Sequence, residues 1–429
     1  MKISELIKAT DAKLYGNYEE DIDVEISTDT RTIKKGDIYL PLKGASFDGE
    51  KFINQALEKG AIGAFCTQRP DDEGFYLQVS DTLIAYLQLA NYKRNKRNFK
   101  VVAITGSSGK TTTKEIIAST LSAKYKVFKT PLNYNNEIGL CQTIFATPLE
   151  TEVLVLEMGM RGLGEIELLS KYAQPDITVI SNVGTAHIGR LGSRENIAKA
   201  KCEIVKYQRG NLFVAHNDEL IKSTVDFSGE KIFYSIKDVK ILEKTSNYSR
   251  FKYENNIYEL NVGGDYNIEN ALSAINLGVN LGLSVEQIQS GLKAYKPIEK
   301  RWEAVIAGGY EIINDSYNAN PESMKAFVDT VVELYNDYVF ILGDMGELGE
   351  DEVQYHRELG KYICEKKNNI KVITIGILSK YISQECSGKH FDTIEEAVSF
   401  IKNNVPKTSR IFLKASRSMK FERVIEQLS

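Results

Sequence analysis

The sequence predicts an α/β protein of three domains, and three observations carry that expectation. Its 429 residues exceed what one hydrophobic core usually organises. The runs Val101-Val102-Ala103-Ile104-Thr105, Val153-Leu154-Val155-Leu156 and Ile177-Thr178-Val179-Ile180 are nearly all apolar and alternate with helical periodicities, as parallel strands covered on both faces do. A second strand and helix alternation then begins near Pro297. The expected parts are a small α/β N-terminal domain (1–85), a central parallel-sheet domain (86–296) and a C-terminal Rossmann-like domain (297–429).

In the first part, apolar periodicity predicts a helix over 3–9, a strand over 37–42, a helix over 52–59 and a short buried strand over 60–65. In the second, the strand ending at Thr105 leads through a glycine loop into a helix over 111–123, and the parallel sheet extends to about Tyr295. The third part reads as a strand at 312–313, a helix over 321–334, a strand over 338–342, a helix over 352–364 and a strand over 371–375. A helix over 394–403, a strand over 410–413 and a helix over 419–428 close it. A doubly wound sheet is the simplest arrangement of these elements.

Composition narrows the function classes. No stretch approaches the roughly 20 apolar residues needed to span a bilayer, and the chain opens on an amphipathic helix rather than a signal-peptide block. A cytoplasmic protein without stable membrane insertion is expected. The five cysteines, Cys66, Cys141, Cys202, Cys364 and Cys386, lack CxxC spacing and read as reduced thiols. A net charge of −4 gives no electrostatic reason to expect nucleic acid. The basic run Lys93-Arg94-Asn95-Lys96-Arg97 reads as a solvated linker or helix end.

The segment Gly106-Ser107-Ser108-Gly109-Lys110-Thr111 lies between an apolar strand and a helix, where backbone N–H groups and the helix N-terminus favour phosphate. This makes the central part a P-loop ATPase domain, in a shortened variant of the motif with Ile104 where the general pattern has glycine. Lys110 is expected to neutralise the terminal phosphates and Thr111 to hold magnesium. Glu157 ends a buried strand at the edge where α/β sheets bind ligands, a position suited to magnesium. His187 follows the next strand, with a nitrogen for a metal or a phosphate.

These segments, together with Leu156-Glu157-Met158-Gly159, Asn182-Val183-Gly184-Thr185-Ala186-His187, Gly264-Asp265-Tyr266-Asn267-Ile268-Glu269-Asn270-Ala271, Arg301-Trp302-Glu303 and Asn314-Asp315-Ser316-Tyr317-Asn318-Ala319-Asn320-Pro321, resemble the Mur ligase family of peptidoglycan synthesis. The run Leu342-Gly343-Asp344-Met345-Gly346-Glu347-Leu348-Gly349 and the run Lys414-Ala415-Ser416-Arg417-Ser418-Met419 are similar to the member that adds a D-alanyl-D-alanine dipeptide. The resemblance implies an ATP- and Mg2+-dependent ligase acting through an acyl phosphate, with UDP-N-acetylmuramoyl-tripeptide and D-alanyl-D-alanine as partners and a monomeric chain.

The resemblance also implies roles for residues. Gly106, Ser107, Ser108, Gly109, Lys110, Thr111 and Thr112 would cradle the ATP phosphates. Two magnesium sites are expected, with Thr111 and Glu157 at the first. His187 and Lys201 would serve the second, Lys201 matching the lysine that the family carbamylates. Read without the resemblance, Lys201 is a helix lysine, with Lys199 two positions away. Asn267 and Asn270 are expected to read adenine, the alternative being capping or turn formation. Arg301 and Asp315 are expected at phosphate and ribose. Ser27, Asp29, Arg31, Gly44, Phe47 and Asp48 match uridine-diphosphate-binding segments, and Asn133, Asn135 and Asn136 a segment near the acceptor carboxylate. Tyr317, Asn318, Asn320, Ser416 and Arg417 are expected to hold the dipeptide. A related ligase adding another amino acid, and a nucleotide-switched binding protein without acyl transfer, remain the competing readings.

Overall fold

The opening segment Ile3–Thr10 forms a helix because Ile3 and Leu6 recur on one face and are buried there. It begins one of two units into which the chain divides, composed of Met1–Phe99, Thr130–Leu149 and Lys171–Gln174. The computed structural model describes residues 1–17, 21–44, 47–70, 74–297, 300–366 and 370–429. Ala45 and Ser46, inside one expected uridine-diphosphate segment, lie outside the described residues.

The first unit carries a five-stranded sheet in the order Lys13–Tyr15, Tyr76–Gln78, Gly63–Cys66, Ile38–Tyr39, Ile26–Ser27. The first pair is antiparallel and the others are parallel. Tyr39, Ile53, Ala56, Ala64 and Tyr76 form its core. Two expected strands shift. The strand over 37–42 shortens to Ile38–Tyr39, since Pro41 has no N–H to extend a ladder. The strand over 60–65 instead runs Gly63–Cys66, because Gly60 turns at φ +108° out of the preceding helix Ile53–Glu58. Helix Thr82–Asn95, capped by Asp81, and helix Glu137–Ala146 complete this unit.

The second unit comprises Lys100–Lys129, Glu150–Ser170 and Pro175–Ser429. Its first sheet has six strands, all parallel, in the order Glu230–Tyr234, Leu212–His216, Ile177–Ile180, Lys100–Thr105, Val153–Glu157, Val127–Lys129. Lys100–Thr105 therefore sits between the strands that end at Glu157 and Ile180, and Glu157 stands in register with Ile104. The chain crosses here from one side of the sheet to the other, which is where such sheets bind ligands.

A three-stranded antiparallel sheet, Val239–Lys244, Ser249–Tyr253 and Asn256–Leu260, follows. It was absent from the expected parallel sheet reaching Tyr295. Its signature is period-two: Ser249, Phe251 and Tyr253 are buried while Arg250 and Lys252 face water, the pattern of a sheet with one wet face.

The last sheet runs Glu303–Ala307, Tyr310–Asn314, Arg410–Lys414, Tyr338–Gly343, Lys371–Ile375, Lys389–Phe391, with only the first pair antiparallel. This is the expected Rossmann-like arrangement. The helix expected over 419–428 begins later, at Glu422, because Arg417–Met419 forms a 3-10 turn and Lys420 takes φ +51°. One apolar cluster joins this part to the ATPase part within the unit, with Trp302 packed on Tyr266, Phe327 and Phe412. All five cysteines are free thiols. Among the described residues no helix is long and apolar enough to cross a membrane.

Candidate active site

The phosphate loop is built as its sequence requires. Gly109 takes φ +75°, and a Cβ there would lie 2.8 Å from the Asn270 Oδ1, so only glycine fits both the turn and the neighbour. Helix Lys110–Leu121 starts directly after it, leaving its first N–H groups free for an anion. The following strand's loop braces the turn. Ser108 N–H donates to Asn182 Oδ1 at 3.0 Å, Asn182 Nδ2 donates to Ser108 Oγ at 2.9 Å, and Ser181 Oγ donates to Ser108 O at 2.7 Å. Lys110 Nζ folds back onto Gly106 O at 2.8 Å. Loss of water around it, with Arg301 adding to the effect, holds its pKa below the usual lysine value despite Glu157 and Glu347.

Three of the expected metal residues follow from neighbouring strands of one sheet: Glu157 ends Val153–Glu157, Thr111 comes after Lys100–Thr105 and His187 after Ile177–Ile180. Thr111 and Glu157 are buried, and Lys114 Nζ lies 3.5 Å from Glu157 Oε2. Lys201 lies in helix Arg194–Cys202 and is 1% exposed, whereas Lys199 faces solvent. Burial, and secondarily the charge of Lys110, holds the Lys201 amine well below the usual lysine range. Among the described residues no hydrogen bond or ion pair engages its Nζ. His187, at φ +67°, puts Nδ1 2.6 Å from Glu347 Oε2. That contact lowers the Glu347 pKa against the opposing cost of burial, with Arg161 and Lys110 adding to it.

Arg301 and Asp315 come from the Rossmann-like part. Arg301 Nη2 donates to Thr111 Oγ1 at 2.9 Å, its guanidinium lies over the Tyr317 ring at 4.0 Å, and its Nε is buried with no partner among the described residues. Asp315 accepts from Trp302 N–H at 3.2 Å and from Lys414 Nζ at 2.5 Å. Asn267 donates to Gly263 O at 2.7 Å, just before its own helix, and Asn270 accepts from Thr113 Oγ1 at 3.1 Å in the helix that follows the phosphate loop. Thr112 is buried in the same helix.

The expected dipeptide residues cluster at the ends of neighbouring strands in the last sheet. Asn320 caps helix Pro321–Leu334, accepting from Ser323 N–H at 2.9 Å. Asn318 O accepts from Lys414 Nζ at 3.2 Å. Ser416 Oγ meets Ser418 Oγ at 3.1 Å, and Arg417 Nη1 pairs with Glu422 at 3.1 Å.

In the first unit, Arg31 Nη2 pairs with Asp29 Oδ2 at 2.6 Å, and its hydrogen bonds hold the Asp29 carboxyl down to about 2. Ser27 Oγ donates to Asp29 O at 3.1 Å. Gly44 N–H donates to Phe47 O, Phe47 stacks on Phe52 at 5.5 Å, and Asp48 accepts from Glu50 N–H. Asn136 caps the helix Glu137–Ala146, and Asn135 N–H donates to Asn133 O.

Two acidic residues here had no role in the sequence reading. Glu322 Oε2 accepts from Thr185 Oγ1 at 2.8 Å, and Glu347 reaches His187. Only the Leu342–Gly349 run hinted at the second. His356 holds the loop that carries Glu347: Met345 N–H donates to its Nε2 at 2.9 Å, and its Nδ1 lies 2.6 Å from Glu352 O. Nε2 can accept only in a neutral ring. Burial lowers the His356 pKa, outweighing the Glu352 carbonyl and the Asp344 and Glu352 charges.

As pH falls, the unfolded histidine therefore binds its proton first. The stabilising contribution is complete above about pH 6.5 and is lost as pH falls from there through the lower folded value. Thermal unfolding should show stability falling between pH 7 and pH 5 more steeply in the wild type than in His356→Asn, by at most about 1.4 kcal/mol per pH unit. Equal slopes would count against the neutral ring.

Comparison with known proteins matches this geometry to one family. The pattern described as "Mur ligase family, catalytic domain" matches residues 24–92, "Mur ligase middle domain" residues 104–278, and "Mur ligase, glutamate ligase domain" residues 300–417. The UDP-N-acetylmuramoyl-tripeptide–D-alanyl-D-alanine ligase of Bacillus subtilis is 36% identical over 99% of this chain and 97% of its own. A crystal structure of MurF from Acinetobacter baumannii superposes with a TM-score of 0.91 at 30% identity, covering 99% of this chain and 98% of that one. MurF ligase from Thermotoga maritima, solved in complex with ADP, does so with a TM-score of 0.86 at 29% identity, covering 94% and 96%. Matched along all three of its parts and alike from end to end to one relative, the chain belongs to the Mur ligase family.

Proposed function

We propose that the chain joins D-alanyl-D-alanine to the terminal carboxylate of UDP-N-acetylmuramoyl-tripeptide, consuming ATP, in the last cytoplasmic step that makes the peptidoglycan pentapeptide precursor. The observation that carries this is the end-to-end likeness to a D-alanyl-D-alanine ligase at 36% identity. The phosphate loop in its active surroundings agrees with it.

The reaction has two balanced steps. The substrate carboxylate oxygen attacks the γ-phosphorus of ATP, and ADP departs with the broken P–O bond. The unprotonated dipeptide amine then attacks the carbonyl carbon of the acyl phosphate, phosphate leaves with the C–O electrons, and the nitrogen loses a proton to solvent. Both steps need negative charge stabilised where it develops more than they need a strong acid or base. Loop N–H groups and Lys110 supply that for the phosphates. Arg301 would turn from Thr111 to a phosphate oxygen when nucleotide enters.

Among the described residues no three His, Cys, Asp or Glu side chains converge to hold a metal. The donors present, Thr111 and Glu157 for one ion and His187 and Lys201 for another, instead suit magnesium, which ordinarily keeps few protein ligands and takes its other oxygens from phosphate and water. When bound, the ions would neutralise the transferring phosphate. Lys201 suits its part because burial favours loss of the ammonium proton, and the free amine is nucleophilic toward carbon dioxide. An N–C bond forms, the amine nitrogen loses one proton to solvent, and an anionic carbamate replaces the amine.

The test is ADP release measured with UDP-N-acetylmuramoyl-tripeptide, with and without D-alanyl-D-alanine. Stimulation by the dipeptide is expected. Its absence while another amine stimulates release would transfer the assignment to a different ligase, and nucleotide binding without any release would leave only a binding protein.

A further inference from the structure

Glu347 stands at the junction of the ATPase and Rossmann-like parts with no role so far. Its loop, between strand Tyr338–Gly343 and the turn Gly349–Asp351, is fixed from behind at several points. The Asp344 carboxylate accepts from Ile377, Leu378 and Ser379 N–H at 3.0, 3.0 and 2.7 Å. Met345 is held by His356, and Ser416 N–H donates to Asp344 O. The loop's outer edge presses on the residues after His187. Gly189 N–H donates to Glu347 O, and a Cβ on Gly189 would come within 2.4 Å of Gly349 N.

At this contact two non-glycine residues adopt left-handed backbone, His187 at φ +67° and Glu347 at φ +62°. Such conformations are costly and cluster where a side chain must be aimed. Here they aim the two side chains at each other, Nδ1 to Oε2 at 2.6 Å. Stability is a poor explanation for the pair, since the Glu347 side chain is 60% exposed and exposed pairs contribute little. A carboxylate on one imidazole nitrogen does have a well-defined effect: it fixes the proton on that nitrogen and turns the lone pair of the other outward to a ligand.

We propose that Glu347 is a positioning residue that sets His187 Nε2 for the second metal ion, and that it reaches His187 only when the loop Gly343–Gly349 is docked on the ATPase part. This rests on the metal reading of the site given above. Docking of the part that brings the amine thereby completes the metal site at which the acyl phosphate is handled, so the two events are coupled by one hydrogen bond.

The test is Mn2+ binding in the presence of ADP, followed by electron paramagnetic resonance, including the hyperfine coupling from a ligating imidazole nitrogen. Glu347→Ala should weaken the weaker-bound Mn2+ by about 10- to 100-fold and abolish the nitrogen coupling. Glu347→Gln, whose amide oxygen still accepts the Nδ1 proton, should recover most of both and keeps the test valid if the alanine variant fails to fold. Lys244→Ala removes the pairs with Asp265 and Glu333, the second of which links the two parts, and where it loosens docking it should weaken the same Mn2+ with Glu347 intact. Unchanged Mn2+ affinity and coupling in Glu347→Ala would overturn the role, and unchanged Mn2+ binding in a Lys244→Ala protein whose Trp302 emission shows the parts separated would overturn its dependence on docking. A wild-type protein that binds no Mn2+ beside ADP would overturn the metal reading itself.

Discussion

Replacing Lys201 with alanine is expected to lower ligation by at least about 100- to 1000-fold, the loss typical of one strong electrostatic stabiliser, and added formate or acetate is expected to restore part of it. The reasoning starts from burial. A lysine that is 1% exposed and repelled by Lys110 gains nothing by remaining a cation, and no described neighbour offers a carboxylate to its Nζ. A carbamate makes the side chain an anion and supplies two oxygens for a metal ion. Phosphate release with both substrates, with and without the small acids, reads the outcome, and carbon-13 bicarbonate should label the wild type alone. Wild-type turnover in the variant would remove Lys201 from the reaction.

Lys110→Ala is expected to produce a loss of comparable size, about 100- to 1000-fold, with a different signature. Lys110 Nζ donates to the carbonyl of Gly106, a contact the loop can spare, since the hydrogen bonds from Ser181 and Asn182 hold it independently. The variant should therefore fold, lose kcat through the transferring phosphate, and show no rescue by carboxylates. Steady-state kinetics with varied ATP separates the effects. Near-normal kcat, or rescue by acetate, would contradict the assignment.

How much of this was legible depends on how local the cause is. The phosphate loop is specified within a few residues by Gly109 and by the strand and helix around it, so it could be read directly. The place of Glu157 at the end of a buried strand was readable from the apolar run before it. Lys201 could be separated from Lys199 on paper only through the resemblance; burial in the helix Arg194–Cys202 makes the distinction physically. Glu322 and Glu347 escaped because their partners lie 137 residues away for one and beyond 150 for the other, and a surface glutamate looks the same whichever partner folding brings to it. The sheet from Val239 to Leu260 escaped because short half-polar strands resemble loops until their pairing supplies the missing order. Asn320, expected at the dipeptide, uses its Oδ1 to cap the helix Pro321–Leu334, a second role that the sequence does not display.

The sequence contains a single tryptophan, and Trp302 occupies a telling place. Its Nε1 donates to Ser246 O at 2.7 Å, its ring packs among Tyr266, Phe327 and Phe412, and its neighbour Arg301 reaches Thr111. Every photon of indole emission from this protein therefore originates at the seam between the ATPase and Rossmann-like parts. Parting of that seam would expose the ring and shift its light to longer wavelength. The enzyme thus carries its own unlabelled optical gauge of closure.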